Sequence, residues 1–339
     1  MNAGRAEAAG ELISVVAPAY NEADGLTEFV HRIDAVMREH RIDHEIVFVN
    51  DGSSDHTLLV MQSLRAVNPN ITIVNLSRNF GKETAMTAGI AHAIGDAVVI
   101  IDTDLQDPPE LIPDMIDAWR AGYDVVYAQR TERAGETWMK KTTARLFYWT
   151  VRRMGPVPIP ENTGDFRLLS RRAAQALLQI PERHRFMKGL YAWIGFPQKA
   201  LPYRRHARFT GQSKWNYWQL WNLALEGITS FTIVPLKLAT YMGFLIAMAA
   251  FAYGLVIIVK ALFFGEPVRG FPTIMSVMLL LGGVQLIVLG FIGEYLGRIF
   301  DETKQRPLYL LESVSWSAVA ERRNRMTGGR RDAQAAGRR

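Results

Sequence analysis

Short apolar runs alternate with stretches of helical spacing over the first 130 residues of the chain. Five runs predict β-strands, because they are rich in branched and aromatic residues and end in turn residues; they cover 12–18, 45–50, 71–76, 97–101 and 124–129. The stretches between them predict helices at 23–40, 55–67, 83–94 and 108–121. Strands that are apolar on both faces and joined by helices predict an α/β fold with a mainly parallel sheet.

Two long uncharged stretches follow late in the chain, at 238–259 and 270–293. Each exceeds the roughly 20 residues that cross the hydrocarbon core of a bilayer, so they predict two C-terminal transmembrane helices. The alternative is a buried helical hairpin in a soluble core, although core helices of this length normally carry a polar stripe. The link 263–269 has one arginine, whereas basic residues follow the second stretch. The positive-inside rule therefore predicts that both termini are cytoplasmic.

Three tryptophans lie just before the first of these stretches. Trp215, Trp218 and Trp221 are spaced by three residues, which favours an amphipathic helix lying in the membrane interface. The alternative is that their rings pack inside the soluble part. The predicted organisation is a flexible N-terminus, a cytosolic α/β domain, the interfacial region, a two-span anchor and a cytosolic basic tail, with bounds 1–11, 12–214, 215–235, 236–299 and 300–339.

Composition and charge narrow the function classes. The chain has 339 residues and a net charge of +6, but residues 320–339 alone hold seven arginines against two acids. A basic tail of this kind is weak support for nucleic-acid binding, which would require a basic folded face. The absence of cysteine excludes disulfides, thiolate metal sites and a cysteine nucleophile.

Candidate chemistry lies directly after the predicted strands, where ligands bind in open parallel sheets. No GxGxxG and no GxxxxGK[ST] sequence occurs, so a phosphate-bearing ligand would need a metal or cationic side chains. Asp102 and Asp104 follow the fourth strand, and alternate residues of an extended chain point the same way. Two carboxylates suit Mg²⁺ or Mn²⁺ bridging a diphosphate. The alternative is a pair of solvated acids that cap a helix.

Six motifs occur in register: PAYNE (18–22), VNDGSSD (49–55), RNFGKE (78–83), DTDLQDPPE (102–110), TGDFRLLSR (163–171) and GQSKW (211–215). Together they resemble the GT-A glycosyltransferases of family 2, and within them the polyprenyl-phosphate branch that includes dolichol-phosphate mannose synthase. The ending at 293–311 after two spans resembles the bacterial bactoprenol glucosyltransferases. Thr103 departs from the family, which often has alanine there. The QxxRW motif of the processive polysaccharide synthases does not occur.

The resemblance implies an inverting transfer of a hexose from a nucleotide sugar, with UDP-glucose as the expected donor, to undecaprenyl phosphate at the cytoplasmic face of a bacterial inner membrane. The product would serve cell-envelope glycans or lipopolysaccharide modification. A divalent ion, Mg²⁺ or Mn²⁺, would be held by Asp104 and Asp102. The catalytic set implied is Asp102, Asp104, Gln106 and Asp165, and the donor-binding set is Pro18, Tyr20, Glu22, Asp51 and Lys82.

Asp165 is assigned to the site with its role open between base, ligand of a metal-bound water and sugar positioner. The alternative is a loop acid that pairs with Arg167. An acceptor phosphate is largely ionised at neutral pH, because its second pKa is near 6, so it needs no strong base. It does need cations. The candidates for binding the acceptor phosphate are Arg130 and Arg133, which follow the fifth predicted strand, and Arg205, Arg208 and Lys214, which lie just before the Trp-rich helix.

Other readings of the same residues stay open. The donor could be GDP-mannose or a UDP-amino-arabinose derivative, since sugar recognition depends on the three-dimensional pocket. A different class is a membrane-anchored protein that binds a nucleotide sugar without turnover, against which the intact Asp102, Asp104 and Asp165 argue. The expected partners are the nucleotide sugar, the polyprenyl phosphate and the membrane, without nucleic acid, and a homo-oligomer is possible.

Overall fold

The computed structural model describes the chain from residue 10 to 326 with gaps. The described residues are 10–131, 160, 163–183, 185–203, 241, 243–246, 248–249, 252–253, 256, 263 and 270–326.

Eight strands form one mixed sheet. In chain order they are β1 Leu12–Ala19, β2 Asp43–Asn50, β3 Ile71–Leu76, β4 Ala97–Ile100, β5 Val125–Arg130, β6 Thr163–Ser170, β7 Gln198–Tyr203 and β8 Leu311–Ser315. Their spatial order is β7-β5-β6-β4-β1-β2-β3-β8. The pairs β1–β2, β1–β4, β2–β3 and β5–β7 are parallel, whereas β6 runs antiparallel between β4 and β5, and β8 runs antiparallel to β3.

Helices follow most of the strands and cover the sheet. They are α1 Leu26–Glu39, α2 Thr57–Val67, α3 Lys82–His92, α4 Ile112–Arg120 after a 3₁₀ turn at Pro109–Leu111, α5 Arg171–Gln179, α6 Met187–Trp193, α7 Phe271–Thr303 and α8 Ala318–Met326. Two buried apolar clusters, one on each face of the sheet, contain α1 with α4 and α3 with α5 respectively. This double burial is the reason that β1 to β4 carry apolar residues on both faces.

The five predicted strands and the α/β class are confirmed, with strand ends that differ from the prediction by at most two residues. The strands β6, β7 and β8 are additions that the predicted alternation lacks. Strand β6 inserts between β4 and β5, with Ile100 opposite Arg167 and Val126 opposite Leu168. Strands β4 and β5, which are consecutive in the sequence, are therefore separated in the sheet by β6, which comes later in the chain.

The segment after α7 returns to the sheet. Strand β8 pairs with β3, the Ser77 amide donates to the Leu310 carbonyl oxygen at 3.0 Å, and the Ser317 amide donates to Thr72 Oγ1 at 2.9 Å. Ser317 and Ala320 are buried. Residues 310–320 therefore belong to the α/β unit, beyond the predicted domain boundary at 214.

Helix α7 has the length and composition of a membrane span. Within the described part of the chain, its section Leu280–Thr303 is the one helix that is long and apolar enough to cross a bilayer, with a mean hydropathy of 1.6 and no buried part. The helix continues ten residues past the predicted end of the second span at 293. Among the described residues the structure thus contains one membrane-length helix, and most of the first predicted span lies outside them.

The first predicted span and the interfacial helix fall largely or wholly outside the described residues. Residues 241–263 are described at single positions and short stretches, which are helical and carry exposed apolar side chains such as Phe244 and Leu245. Residues 215–235, with the three tryptophans, and the tail from 327 onward lie outside the described ranges.

The two parts of the C-terminal segment should respond differently to truncation. Deletion of residues 328–339 should leave the thermal midpoint unchanged, because a Gly/Arg/Ala segment has too little apolar surface to fold. Deletion of residues 310–339 removes β8 and several buried hydrogen bonds, each worth about 1 kcal/mol. We expect it to lower the Tm by roughly 10 °C. Thermal unfolding of the purified full chain and both truncations measures this; equal midpoints for the two truncations would contradict a structural role of β8.

Candidate active site

The site lies at the edge of the sheet where β1, β2, β3 and β4 end. These strands are mutually parallel, so their carboxyl ends meet there. Strand β6 runs the other way, so the residues near its start reach the same edge. Ile100 is opposite Arg167, and continuing this register by two residues brings Asp102 opposite Asp165.

A lysine joins these two carboxylates. Lys82 is the first residue of α3, and its Nζ lies 2.7 Å from the Asp102 carboxylate and 2.7 Å from Asp165 Oδ2. Removal of the ammonium from bulk water opposes its charge, but Asp102 and Asp165 raise the pKa of Lys82 well above its ordinary value. Lys82 is therefore a permanent cation between two acids, with a side chain that is still 45% exposed.

The carboxylate of Asp165 stays ionised. Burial alone would raise its pKa, but the ammonium groups of Lys82 and Lys188 lower it below the ordinary value. Its second oxygen, Oδ1, is buried and has no hydrogen-bond partner among the described residues. The alternative prediction was that Asp165 pairs with Arg167. The Arg167 guanidinium instead donates to the carbonyl oxygen of Gly164 at 2.8 Å and stacks on the Tyr191 ring. Asp165 is thus an anion with one buried oxygen that no described group binds.

Asp104 and Gln106 lie in a turn after β4. The strand ends at Ile100, and residues 103–105 form a turn with Leu105 in the left-handed region at φ 56°. The prediction that Asp102 and Asp104 lie in extended chain is therefore wrong in its geometry. The backbone amide of Gln106 donates to Asp104 Oδ1 at 3.1 Å, and Gln106 is buried. The turn brings both acids to the same strand end without the alternation of an extended strand.

Two further titratable groups interact electrostatically with Asp165. Glu83 follows Lys82 on α3, and burial together with the Asp165 carboxylate raises the pKa of Glu83 to about 8. Lys188 lies on α6, and burial lowers its pKa although Asp165 and Glu83 act in the opposite direction. The sequence analysis missed both. The RNFGKE motif contained Glu83, whereas no motif contained Lys188.

Arg130 is held by a tyrosine at the same edge. Its Nε donates to Tyr203 Oη at 3.1 Å, and Tyr203 Oη in turn donates to Asp107 Oδ1. Removal from water opposes the charge of Arg130, but Tyr203, Asp107 and Asp102 raise its pKa. A Cβ added at Gly164 would lie 3.1 Å from Arg130 Nη2, so the glycine gives the guanidinium room. Arg130 is therefore oriented at the end of β5, close to the acids.

The loops after β1, β2 and β3 are tied together. Asn21, at φ 55°, accepts from the Ser54 amide at 2.9 Å. The Asp51 carboxylate accepts from the amides of Phe80 and Gly81 at 2.7 and 3.0 Å. Burial raises the pKa of Asp51 despite these two bonds. The loop that precedes Lys82 is thus anchored on Asp51, a residue of the predicted donor-binding set.

Gly52 permits this close contact between loops. It has φ +62°, and a Cβ there would lie 2.3 Å from the backbone carbon of Arg78. A side chain at this position would push away residues 78–79 and with them the start of α3. The glycine of the VNDGSSD motif is therefore required by the backbone approach itself.

The remaining predicted residues divide between the described and undescribed parts of the chain. Pro18 and Glu22 flank the end of β1, and the Glu22 amide donates to Thr57 Oγ1 at 2.9 Å. Tyr20 between them is 43% exposed, so its ring is available at the surface of the site. Four predicted acceptor cations lie outside the described residues: Arg133, Arg205, Arg208 and Lys214.

The acids at this edge fit a divalent cation that also binds a ligand. Among the described residues, no group of three or more His, Cys, Asp or Glu side chains is arranged as a complete metal site. Mg²⁺ is typically bound by one or two carboxylates and completed by substrate phosphates and water. Asp102 and Asp104, two carboxylates that follow the end of β4, suit that incomplete arrangement.

Comparison with known proteins identifies the family. Residues 14–178 match the family described as glycosyl transferase family 2, and residues 234–299 match the GtrB C-terminal hairpin. An uncharacterized glycosyltransferase of Synechocystis sp. is 52% identical over 302 residues, which cover 89% of this chain and 95% of that protein. The chain belongs to glycosyl transferase family 2. It is a glycosyltransferase with the GT-A α/β fold.

Named relatives extend the comparison along the chain. The bactoprenol glucosyl transferase of Shigella phage SfV is 45% identical over 301 residues, covering 89% of this chain and 98% of the phage protein. Mannosyl-3-phosphoglycerate synthase from Rubrobacter xylanophilus, a solved structure, is 18% identical with a TM-score of 0.44, covering 77% of this chain and 79% of that one. The relative from phage SfV matches beyond the α/β unit, through the region of α7.

Proposed function

We propose that this glycosyltransferase transfers a hexose, with inversion, from a nucleotide sugar to a polyprenyl phosphate at the cytoplasmic face of the membrane. UDP-glucose is the proposed donor and undecaprenyl phosphate the proposed acceptor. The observation that carries the proposal is a hydrogen bond between the catalytic unit and the membrane helix. The backbone amide of Arg183 donates to Glu302 Oε1, at the end of α7, at 2.7 Å. A membrane lipid is the acceptor class that such an architecture serves.

The donor side would use the loops after β1, β2 and β4. Pro18, Tyr20, Glu22 and Asp51 would line the nucleoside pocket. The divalent ion, Mg²⁺ or Mn²⁺, would be held by Asp102 and Asp104 and would neutralise the charge that develops on the leaving diphosphate. Gln106, buried beside Asp104, would help to orient the sugar.

Asp165 would act as a fixed anion. Because Lys82 and Lys188 hold its pKa below the ordinary value, it is a poor proton acceptor at neutral pH. The acceptor phosphate does not need one, since its second pKa is near 6 and it attacks as an ionised oxygen. Asp165 would instead orient the sugar or a metal-bound water and keep Lys82 in place; its Oδ1 has no hydrogen-bond partner among the described residues.

The acceptor phosphate would be met by Arg130. Its guanidinium is oriented by Tyr203 and Asp107, and this preorganisation lowers the entropy cost of binding. Arg133, Arg205, Arg208 and Lys214 complete the proposed acceptor set. In the proposed topology, α7 is the second of two spans, an interfacial helix over 215–235 precedes the first, and both termini are cytoplasmic.

A transfer assay with detergent-solubilised full-length protein tests the proposal. The assay contains a short polyprenyl phosphate, Mn²⁺ and one donor from a panel of UDP-glucose, GDP-mannose and a UDP-amino-arabinose derivative. We expect mass spectrometry to detect polyprenyl-phosphate-glucose from UDP-glucose, and no product from the matched neutral polyprenol. Transfer from another donor would overturn the proposed identity of the sugar but support the proposed type of reaction. Tight UDP binding without product from any donor would favour a non-catalytic binding protein and overturn the proposal.

A further inference from the structure

Residues 180–183 and 185–188 lie between the end of α7 and the acids of the site. At one end, the Arg183 amide donates to Glu302 Oε1 at 2.7 Å. At the other end, the Met187 amide donates to Glu83 Oε2 at 3.3 Å. One carboxylate thus comes from the membrane helix and the other from α3, beside Lys82. The two acids hold the same short segment from opposite sides.

The middle of this segment is fixed to the α/β unit. The buried guanidinium of Arg185 donates to the carbonyl oxygens of Ile180 at 3.2 Å and Leu177 at 2.9 Å, near the end of α5. These acceptors include carbonyl groups that a helix terminus otherwise leaves unpaired. Phe186 and Met187 are buried as well. A displacement of Arg183 is therefore expected to propagate toward α6 instead of being absorbed by a loose loop.

Lys188 follows directly and belongs to the charge cluster of the site. It interacts electrostatically with Asp165 and Glu83. Lys188 directly follows Met187, whose backbone amide donates a hydrogen bond to Glu83. The position of the Lys188 ammonium relative to Asp165 consequently depends on how the segment is held.

We propose that Glu302 is a positioning residue for the active site: by accepting the Arg183 amide at the end of the membrane helix, it holds the segment that ends at Met187, whose amide donates to Glu83 beside Lys82, and so helps to position the adjacent Lys188. The bond places the catalytic charges in a fixed relation to the membrane helix, which is the element nearest to a lipid acceptor. The structural part of this inference is independent of the reaction; its kinetic consequence rests on the proposed function.

Three variants of the full-length protein in nanodiscs test the inference. Glu302→Ala removes the acceptor, whereas Glu302→Gln retains an oxygen that can accept the same amide. Glu294→Ala is the matched control, because Glu294 is an acid on the same helix and forms a salt bridge with Arg298 one turn away. Hydrogen–deuterium exchange of residues 181–188 and steady-state kinetics are measured for each.

We expect Glu302→Ala to speed exchange in 181–188 by on the order of tenfold, as for the loss of one charge-assisted hydrogen bond. Glu302→Gln should stay within about threefold of wild type, and Glu294→Ala should not change exchange there. The kcat of Glu302→Ala should fall several-fold with an unchanged KM for the nucleotide sugar, because the described hydrogen bond of Glu302 goes to Arg183 and not to the proposed donor loops after β1, β2 and β4. If the alanine variant does not fold, Glu302→Asp, shorter by one methylene, should give the same increase in exchange.

Unchanged exchange in Glu302→Ala, or a glutamine variant as perturbed as the alanine variant, would overturn the inference. A normal kcat in a variant with faster exchange would also overturn the catalytic role. If the wild-type protein transfers no sugar to any lipid, the proposed function fails, and the exchange measurement still decides whether Glu302 holds the segment.

Discussion

Asp104→Asn should remove nearly all transferase activity while leaving the fold intact. The change deletes one of the two carboxylate charges proposed to hold the divalent ion and keeps the side-chain volume. Loss of a Lewis acid at a leaving diphosphate costs several kcal/mol, and about 1.4 kcal/mol corresponds to tenfold in rate. We therefore expect turnover to fall by on the order of a thousandfold, measured with saturating donor and acceptor in the presence of Mn²⁺.

Asp114→Asn is the matched control, because Asp114 is an exposed acid on α4, a few residues further along the chain. It should retain wild-type turnover. Excess chelator should reduce the wild-type rate to a similar extent as the Asp104 substitution. Near-normal turnover of Asp104→Asn, or of wild type in chelator, would contradict the assignment of the metal to this turn.

Lys82→Met should be the next most damaging substitution. It removes an ammonium 2.7 Å from both Asp102 and Asp165 and preserves the length of the side chain. Charge-assisted hydrogen bonds are worth roughly 1.5 to 3 kcal/mol each, and the partial exposure of Lys82 reduces that value. A total of about 2 to 3 kcal/mol corresponds to a roughly 30- to 100-fold loss of kcat/KM.

Lys199→Met provides the comparison, since Lys199 is an exposed lysine on β7 that stacks on Tyr123 outside the site. Both variants should show the thermal midpoint of the wild type within a few degrees. Equal activity of the Lys82 and Lys199 variants would show that the bridge between the two acids has no part in transfer. A Lys82→Met protein that does not fold would instead assign the bridge to stability.

The amino-acid pattern alone determined the first half of the sheet. Each of β1 to β5 is a short run of residues that is apolar or β-branched, so the free energy of burial favours that strand whatever its neighbours are. The turn residues that end these runs located Asp51, Asp102 and Asp104 at one edge, because parallel strands share the position of their carboxyl ends. The same reasoning found the apolar stretch of α7, since 24 uncharged residues need no tertiary contact to be recognised.

Only the tertiary structure decided how the charges pair. The position of β6 between β4 and β5 brings Asp165 to the same edge of the sheet as Asp102, and this proximity depends on strand order and not on any local pattern. Lys82 then bridges two acids that are 63 residues apart in the chain. Lys188 reaches the same cluster from a helix that no motif marked. Ion pairs of this kind depend on a through-space distance of a few ångströms, which the sequence does not encode locally.

The C-terminal segment is a second case in which the tertiary structure, and not the local sequence, decided the secondary structure. Its strand β8 is short and only partly apolar, with Glu312 and two serines among five residues, so the local pattern gives no strand signal. It becomes a strand because β3 offers an unpaired edge, and backbone groups at such an edge are satisfied by any extended segment that reaches them. Sequence determined the elements whose own burial stabilises them; the structure decided those that exist only because another element is already in place.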